Sequence, residues 1–361
     1  MSKILIVVDA PGPAEFILPV IPRLTTYNLK LITVGNSPTK ILAAYKPLRI
    51  DSEAEATKIY TEINPDILLV AMSSLVLGPY VNQKITELAH ADKKKIICFQ
   101  DYWANHRHAM NFKMLNFWDV VLVPDELAKN YLLEDGYSGQ IVITGNPGFD
   151  RFRDLDVAAE RKRLRAKFGI AEGSFVILHS GTGTPQSYKE DEITFNFLAK
   201  AVRELSANLK LETNNLKLIF ISRPHPRDEE PGRYQRLAPD LNLLDTSTIP
   251  LTEDILPIAD LSVAMYSTNL IHACYMRIPG ISILLPNAGL KRLEKTSLQD
   301  FPPNNLGATI GIYEESVPKL KNEIEKIISD SSYRNKIIET QKKYFKLEGE
   351  LASVKVADVI S

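Results

Sequence analysis

Short, almost unbroken apolar runs recur along the chain, separated by stretches in which apolar residues return at helical spacing. In the first half the runs are residues 4–8, 29–34, 67–71, 95–99, 120–123 and 140–144. Helical periodicity lies between them, over 15–25 and 81–91 among others. The pattern restarts with runs at 175–179, 216–221, 241–244, 261–264 and 281–285, and with helical stretches at 191–209, 269–276 and 317–329. Runs that are apolar on both faces predict parallel strands covered by helices on both sides.

A chain of 361 residues is long for one core, so the restart reads as a second domain. The expected organisation is a Rossmann-like domain over 1–150, a charged linker over 151–172 containing an exposed helix at 158–168, a second Rossmann-like domain over 173–330, and a charged helical tail over 331–361 that could return to the first domain. The predicted fold class is α/β, two doubly wound sheets facing a cleft. Ligands of such sheets sit beyond the carboxyl ends of the strands, so the loops that follow strands are the ones to read.

Composition narrows the function classes. The net charge of −1 gives no basic excess for nucleic acid or an anionic membrane. Cys98 and Cys274 lie in apolar runs and read as buried thiols, with no disulfide or zinc spacing. No apolar stretch reaches the roughly 20 residues of a membrane span, and the first strand is too short for a signal peptide. A cytoplasmic protein is expected, with docking to the inner face of the membrane left open.

Six loops carry candidate chemistry. After the first strand, Asp9 to Glu15 holds Gly12, which permits close backbone approach, and Glu15, a candidate general base. After the fourth, Gln100 to His108 packs Asp101, two aromatics, an amide, His106, His108 and Arg107 into one segment; one of its histidines reads as structural. Gly145 to Asp150 reads as a turn out of the first domain. In the second half, Gly181-Thr182-Gly183 offers backbone N–H groups to an anion. Arg223-Pro224-His225-Pro226 offers a guanidinium for phosphate and an imidazole. Tyr266-Ser267-Thr268 opens a helix, with Ser267 or Thr268 as its cap and His272 on its first turn. Arg223, His225, Ser267 and Thr268 on one sheet edge suit a diphosphate.

At these residues the chain resembles the nucleotide-sugar transferases of the GT-B fold, above all those of bacterial surface glycans. The resemblance rests on Arg223-Pro224-His225-Pro226, on Ala259-Asp260-Leu261 running into Tyr266-Ser267-Thr268, on Pro279-Gly280, and on Val123-Pro124-Asp125-Glu126 with Thr144-Gly145-Asn146-Pro147. It implies an acceptor-binding first domain and a second domain that binds a nucleotide-activated sugar as substrate, with no cofactor. No Asp-x-Asp metal motif stands out. The acceptor would be a glycan, a lipid-linked or a small-molecule hydroxyl. In such transferases a Glu of the helix that Tyr266-Ser267-Thr268 opens binds the donor ribose; here His272 holds that place.

Two relatives of the fold are alternatives. Transferases of the CDP-glycerol type resemble the His-Pro and Tyr-Ser-Thr segments. UDP-N-acetylglucosamine 2-epimerases share the architecture, and Asp101 is similar to one of their acids, but Ala71-Met72-Ser73-Ser74 supplies no acid and Asp9 to Pro13 no base. A ligand-clamping protein without catalysis is a third reading. In the favoured one, Glu15, Asp101 or His106 deprotonates the acceptor, while Gly181, Thr182, Gly183, Arg223, His225, Tyr266, Ser267, Thr268 and His272 hold the nucleotide and its diphosphate.

Overall fold

The computed structural model describes the chain apart from residues 73–79, 183–184, 213–216, 226–227, 231 and 295–297, and apart from the side chains of 208–212. The chain forms two compact units. Unit 1 is Met1–Arg153 with Glu348–Ser361; unit 2 is Asp154–Leu347.

Unit 1 is built on β1 (Lys3–Val8), β2 (Asn28–Thr33), β3 (Leu48–Arg49), β4 (Ile67–Ala71), β5 (Lys95–Phe99), β6 (Val120–Val123) and β7 (Gln140–Ile143), ordered β3-β2-β1-β4-β5-β6-β7. Unit 2 is built on β8 (Phe175–Ser180), β9 (Leu218–Arg223), β10 (Leu261–Ala264), β11 (Gly280–Ile283) and β12 (Ile310–Ile312), ordered β12-β11-β10-β8-β9. Every pairing in both sheets is parallel. Each unit is thus a Rossmann-like doubly wound sheet. The strand order reverses between β1 and β4 and between β8 and β10, the places where such sheets open a crevice at their carboxyl ends.

Burial explains the apolar runs. In unit 1, Ile4, Ile6 and Val8 of β1 face Phe16 and Phe99, whose rings stack at 4.6 Å, and Val356 and Ile360 of the chain's last helix close the same core. In unit 2, Ile177, Phe220, Val263 and Ile283 pack against Phe195 of the helix Tyr188–Glu212 and Leu320 and Ile324 of the helix Val317–Ser329. Each such side chain contributes about 1.5–3 kcal/mol through removal from water.

Several elements depart from the sequence expectation. The helix expected over 15–25 is a shorter one at Pro11–Ile17 followed by a single turn at Ile21–Arg23. Pro19 and Pro22 explain the break, since proline lacks the N–H a helix needs and restricts the residue before it. Among the described residues the run at 241–244 forms one isolated bridge, Leu243 to Phe220, and no strand. β9 extends to Arg223, whose backbone pairs with Ser180 of β8. The charged segment after 153 is not a separate linker. Its helix Val157–Lys167 belongs to unit 2, where Arg161 and Arg165 both donate to Asp260, at 2.9 and 2.6 Å. The helix Ser331–Tyr344 also stays with unit 2, and only the last segment joins unit 1. Among the described residues no helix is long and apolar enough to cross a membrane.

Candidate functional site

At the carboxyl edge of the unit 1 sheet the loop after β5 is held rigidly. Trp103 donates its indole N–H to Asp125 at 2.6 Å, and Asp125 in turn caps the helix Glu126–Glu134. His106 and Arg107 share Asp135, at 2.8 and 2.5 Å, and the Arg107 guanidinium lies 4.4 Å from the centre of the Tyr131 ring. Burial pulls the His106 imidazole below its ordinary pKa, only partly offset by Asp135. A ring that is 0% exposed and bonded to a helix-end carboxylate is a fastener. The expectation of His106 as the base is therefore corrected.

Asp101 is different. Burial raises its carboxyl to about 6, against the lowering effect of the Asn105 amide, which donates to Oδ1 at 2.5 Å. Its other oxygen lies against Gly12 so closely that a Cβ there would come within 2.1 Å of it. The Asn146 amide, from the loop after β7, donates to the Asp101 carbonyl at 3.3 Å. Three post-strand loops thus meet at Asp101, whose carboxyl has a pKa of about 6, the range that suits a general base. Glu15 sits, half-buried, in the helix Pro11–Ile17 of the first of these loops.

In unit 2 the carboxyl ends of β8, β9 and β10 lie in one row: Ser180 pairs with Arg223 on one side and with Ala264 on the other. The loops expected to bind the nucleotide therefore leave from neighbouring strands. Their polar groups are used differently from the expectation. The Gly181 amide donates to the Arg223 carbonyl, and a side chain at Gly181 would overlap Tyr234. Thr182 donates both its amide and its hydroxyl to Asp191, at 2.8 and 3.2 Å. Those two amides do not await an anion; Gly183, Pro226 and the Ser73-Ser74 stretch lie outside the described residues.

Asp191 is the centre of a buried knot. It also accepts from Arg233 at 2.5 Å and from the Tyr234 hydroxyl at 2.7 Å. Arg233 bonds Asp228 at 3.0 Å and lies 4.4 Å from the centre of the Tyr188 ring. Burial alone would raise the Asp191 carboxyl, but His179, the Thr182 amide, Tyr234 and Arg233 outweigh it and hold it below the usual range. His179, buried beneath the knot, is pulled down to about 4 by desolvation. Sequence reasoning missed Asp191 and Arg233 because they lie 42 residues apart in runs that read as solvated charge.

Arg223 requires the main correction. Its guanidinium does not face an anion site. Nη1 donates to the Thr246 carbonyl and hydroxyl at 2.9 and 3.2 Å, and Nη2 to the Ile249 and Pro250 carbonyls at 2.7 and 2.8 Å. As the last residue of β9 it is buried, where the sequence placed it in an open loop. At the helix Thr268–Tyr275, Ser267 is the cap and accepts the Asn269 amide at 3.2 Å. Thr268 is exposed at its first position, and Tyr266 packs on the unit 2 core. His272, 3% exposed, leaves almost no ring surface for a ribose.

A cavity of about 620 Å³ opens at the end of β9. Arg223, His225, Asp228, Gln235, Asp245 and Thr246 are in its wall, and Ser267 and Thr268 are not. The bridge Phe220–Leu243 brings the segment after Leu243 alongside β9, which forms the far wall.

No protein-family model matches the chain, and no curated protein matches it either. Solved structures do. UDP-GlcNAc 2-epimerase from Neisseria meningitidis, bound to UDP-GlcNAc, superposes with a TM-score of 0.68 at 14% identity, covering 99% of each chain. The Anabaena protein HepE in complex with UDP gives 0.61 at 12% identity over 99% of each chain. A glycosyltransferase from Rickettsia africae gives 0.58 at 15% identity over 99% of this chain and 97% of its own. Likeness at such identities is likeness of fold: this chain has the GT-B fold shared by those epimerases and glycosyltransferases.

Proposed function

We propose that this chain is an enzyme acting on a nucleotide-activated sugar, a glycosyltransferase that moves the sugar from a nucleoside diphosphate to an acceptor hydroxyl in surface-polysaccharide or glycoconjugate synthesis. The observation that carries the reading is the cavity at the end of β9. Its volume suits a nucleoside, since ligand pockets run from about 300 to 1,000 Å³. Among its described lining residues, Asp228, Glu230 and Asp245 outnumber Arg223 and Arg233. Such a wall favours the uncharged nucleoside over the diphosphate. The phosphates would lie towards the switch point between β8 and β10, near His225, the Thr268 amide and the Ser267 hydroxyl, which gains from the positive end of its helix. Donors fixed there would stabilise the charge that grows on the leaving diphosphate.

Asp101 would take the proton of the acceptor hydroxyl, with Glu15 as a second carboxyl of that edge. Several neighbours of the fold are epimerases, and Asp101 would also suit proton abstraction, so epimerisation is the second reading. One assay separates them. The protein is incubated with UDP-GlcNAc, and with GDP- and CDP-linked donors, in the presence and absence of saccharide acceptors. Nucleotide release that depends on the acceptor is expected. A sugar inverted at C2 with no acceptor present would replace transfer by epimerisation, and an unchanged donor in every mixture would contradict both.

A further inference from the structure

Arg223 is the side chain whose placement the nucleotide reading leaves unexplained: a guanidinium, 8% exposed, directed away from solvent at the end of the strand that borders the cavity. Four of its five N–H groups are used on one short segment, at Thr246, Ile249 and Pro250. The fifth, on Nε, is buried and has no partner among the described residues. The Asp245 carboxylate accepts the Ser247 amide at 2.8 Å, and the Ile249 amide donates to the Thr246 carbonyl at 3.0 Å. Asp245, Thr246, Ser247 and Pro250 are at the same time the far wall of the cavity.

We propose that Arg223 is a positioning residue: it shapes the 245–250 wall against which the nucleoside lies and makes no contact with phosphate. The inference rests on the nucleotide reading above and deepens it. Carbonyl oxygens that turn inward to one cation leave the opposite side of the wall presented to the ligand in a single shape. The one N–H left over, on Nε, is itself buried, so a two-point phosphate contact would require at least one of the four bonds to be given up. The planar fork of the guanidinium is what spans acceptors from Thr246 to Pro250; a lysine ammonium, with its donors on one atom, cannot.

The consequence is measurable. A wall that keeps its binding shape only about a tenth of the time weakens every ligand that uses it about tenfold, whatever phosphate the ligand carries. The full chain is titrated calorimetrically with UDP, GDP and CDP, and the tightest of these is compared with its nucleoside monophosphate in the parent, Arg223→Gln and Arg223→Lys. Arg223→Gln is expected to weaken monophosphate and diphosphate by the same factor, about tenfold, and Arg223→Lys to fare no better. Pro250→Gly, which loosens the wall with Arg223 intact, should reproduce the equal loss and serves if Arg223→Gln does not fold. A loss confined to the diphosphate, or full recovery with lysine, would overturn the proposal by showing a charge contact. Parent-like binding in Arg223→Gln and Pro250→Gly would overturn it while leaving the nucleotide reading intact. A parent that binds none of the nucleotides would remove both.

Discussion

At the scale of single residues, two titratable groups, the half-buried Asp101 and the buried His179, act on stability in opposite senses. Asp101 has a pKa of about 6 in the folded chain, above that of an unfolded aspartate, so the folded state holds the extra proton and stability falls as pH rises from about 4 to 6. His179 has a pKa of about 4, below that of an unfolded histidine, so the unfolded state holds the extra proton and stability rises from about pH 4 to 6.5. Each shift corresponds to about 3 kcal/mol. Asp101→Asn removes the first slope and exposes the second. Denaturant titrations between pH 4 and 7 should show the variant gaining stability with pH more steeply than the parent, and parallel curves would contradict the two assignments. In catalysis, the parent's rate should rise through a pKa near 6, and Asp101→Asn should lose about 10²–10⁴-fold together with that limb. His106→Gln should instead cost about 1–3 kcal/mol of stability, by stranding the Asp135 contact, and leave turnover of the folded enzyme close to the parent's. That Asp101 stands in a loop directly after a strand was legible in the sequence. His106 was legible only as chemistry, because nothing local shows that Asp135, 29 residues away, captures it.

At the scale of elements, the strands were legible because burial on both faces leaves a contiguous apolar run. The ends of elements were less so. Arg223 belongs to β9 because its backbone pairs with Ser180, and its charge is satisfied by carbonyls of a segment more than 20 residues further on. A charged residue at a strand end reads as a loop residue when those partners are out of sight. The same holds for the knot of Asp191, Arg233 and Asp228, which ties the loop after β8 to the segment after β9. Both partners of the Asp191–Arg233 pair have side chains only 2% exposed. Removing the guanidinium leaves the buried Asp191 and Asp228 carboxylates without their shared cation, so Arg233→Met should destabilise unit 2 by about 3–5 kcal/mol. Thermal melts check this; a variant within 1 kcal/mol of the parent would mean that water already reaches the pair.

At the scale of the whole molecule, the chain leaves unit 1 after Arg153 and comes back to it at Glu348. The return is fixed by Asp150, whose two carboxylate oxygens accept the Ala352 and Ser353 amides at 3.0 and 2.9 Å at the start of the helix Ala352–Ile360. Arg23 adds a bond to the Ser353 hydroxyl at 3.0 Å. The sequence showed a helical tail but not its docking, since Val356 and Ile360 make an apolar face without naming the core that takes it. Asp150→Ala should cost about 0.5–2 kcal/mol, the value of a helix cap, and should speed amide exchange in 352–360 alone. Exchange that rises equally across the molecule would contradict so local a role.

The account turns on nucleotide binding by unit 2, through a cavity at the end of β9 and the helix-end donors that follow β10. Calorimetric titration of the full chain with UDP, GDP and CDP tests this most directly. Saturable one-to-one binding of at least one of them is predicted, weakened when Asp245 and Thr246 in the cavity wall are replaced by alanine. Absence of heat and of thermal stabilisation with all three, at millimolar concentration, would contradict it.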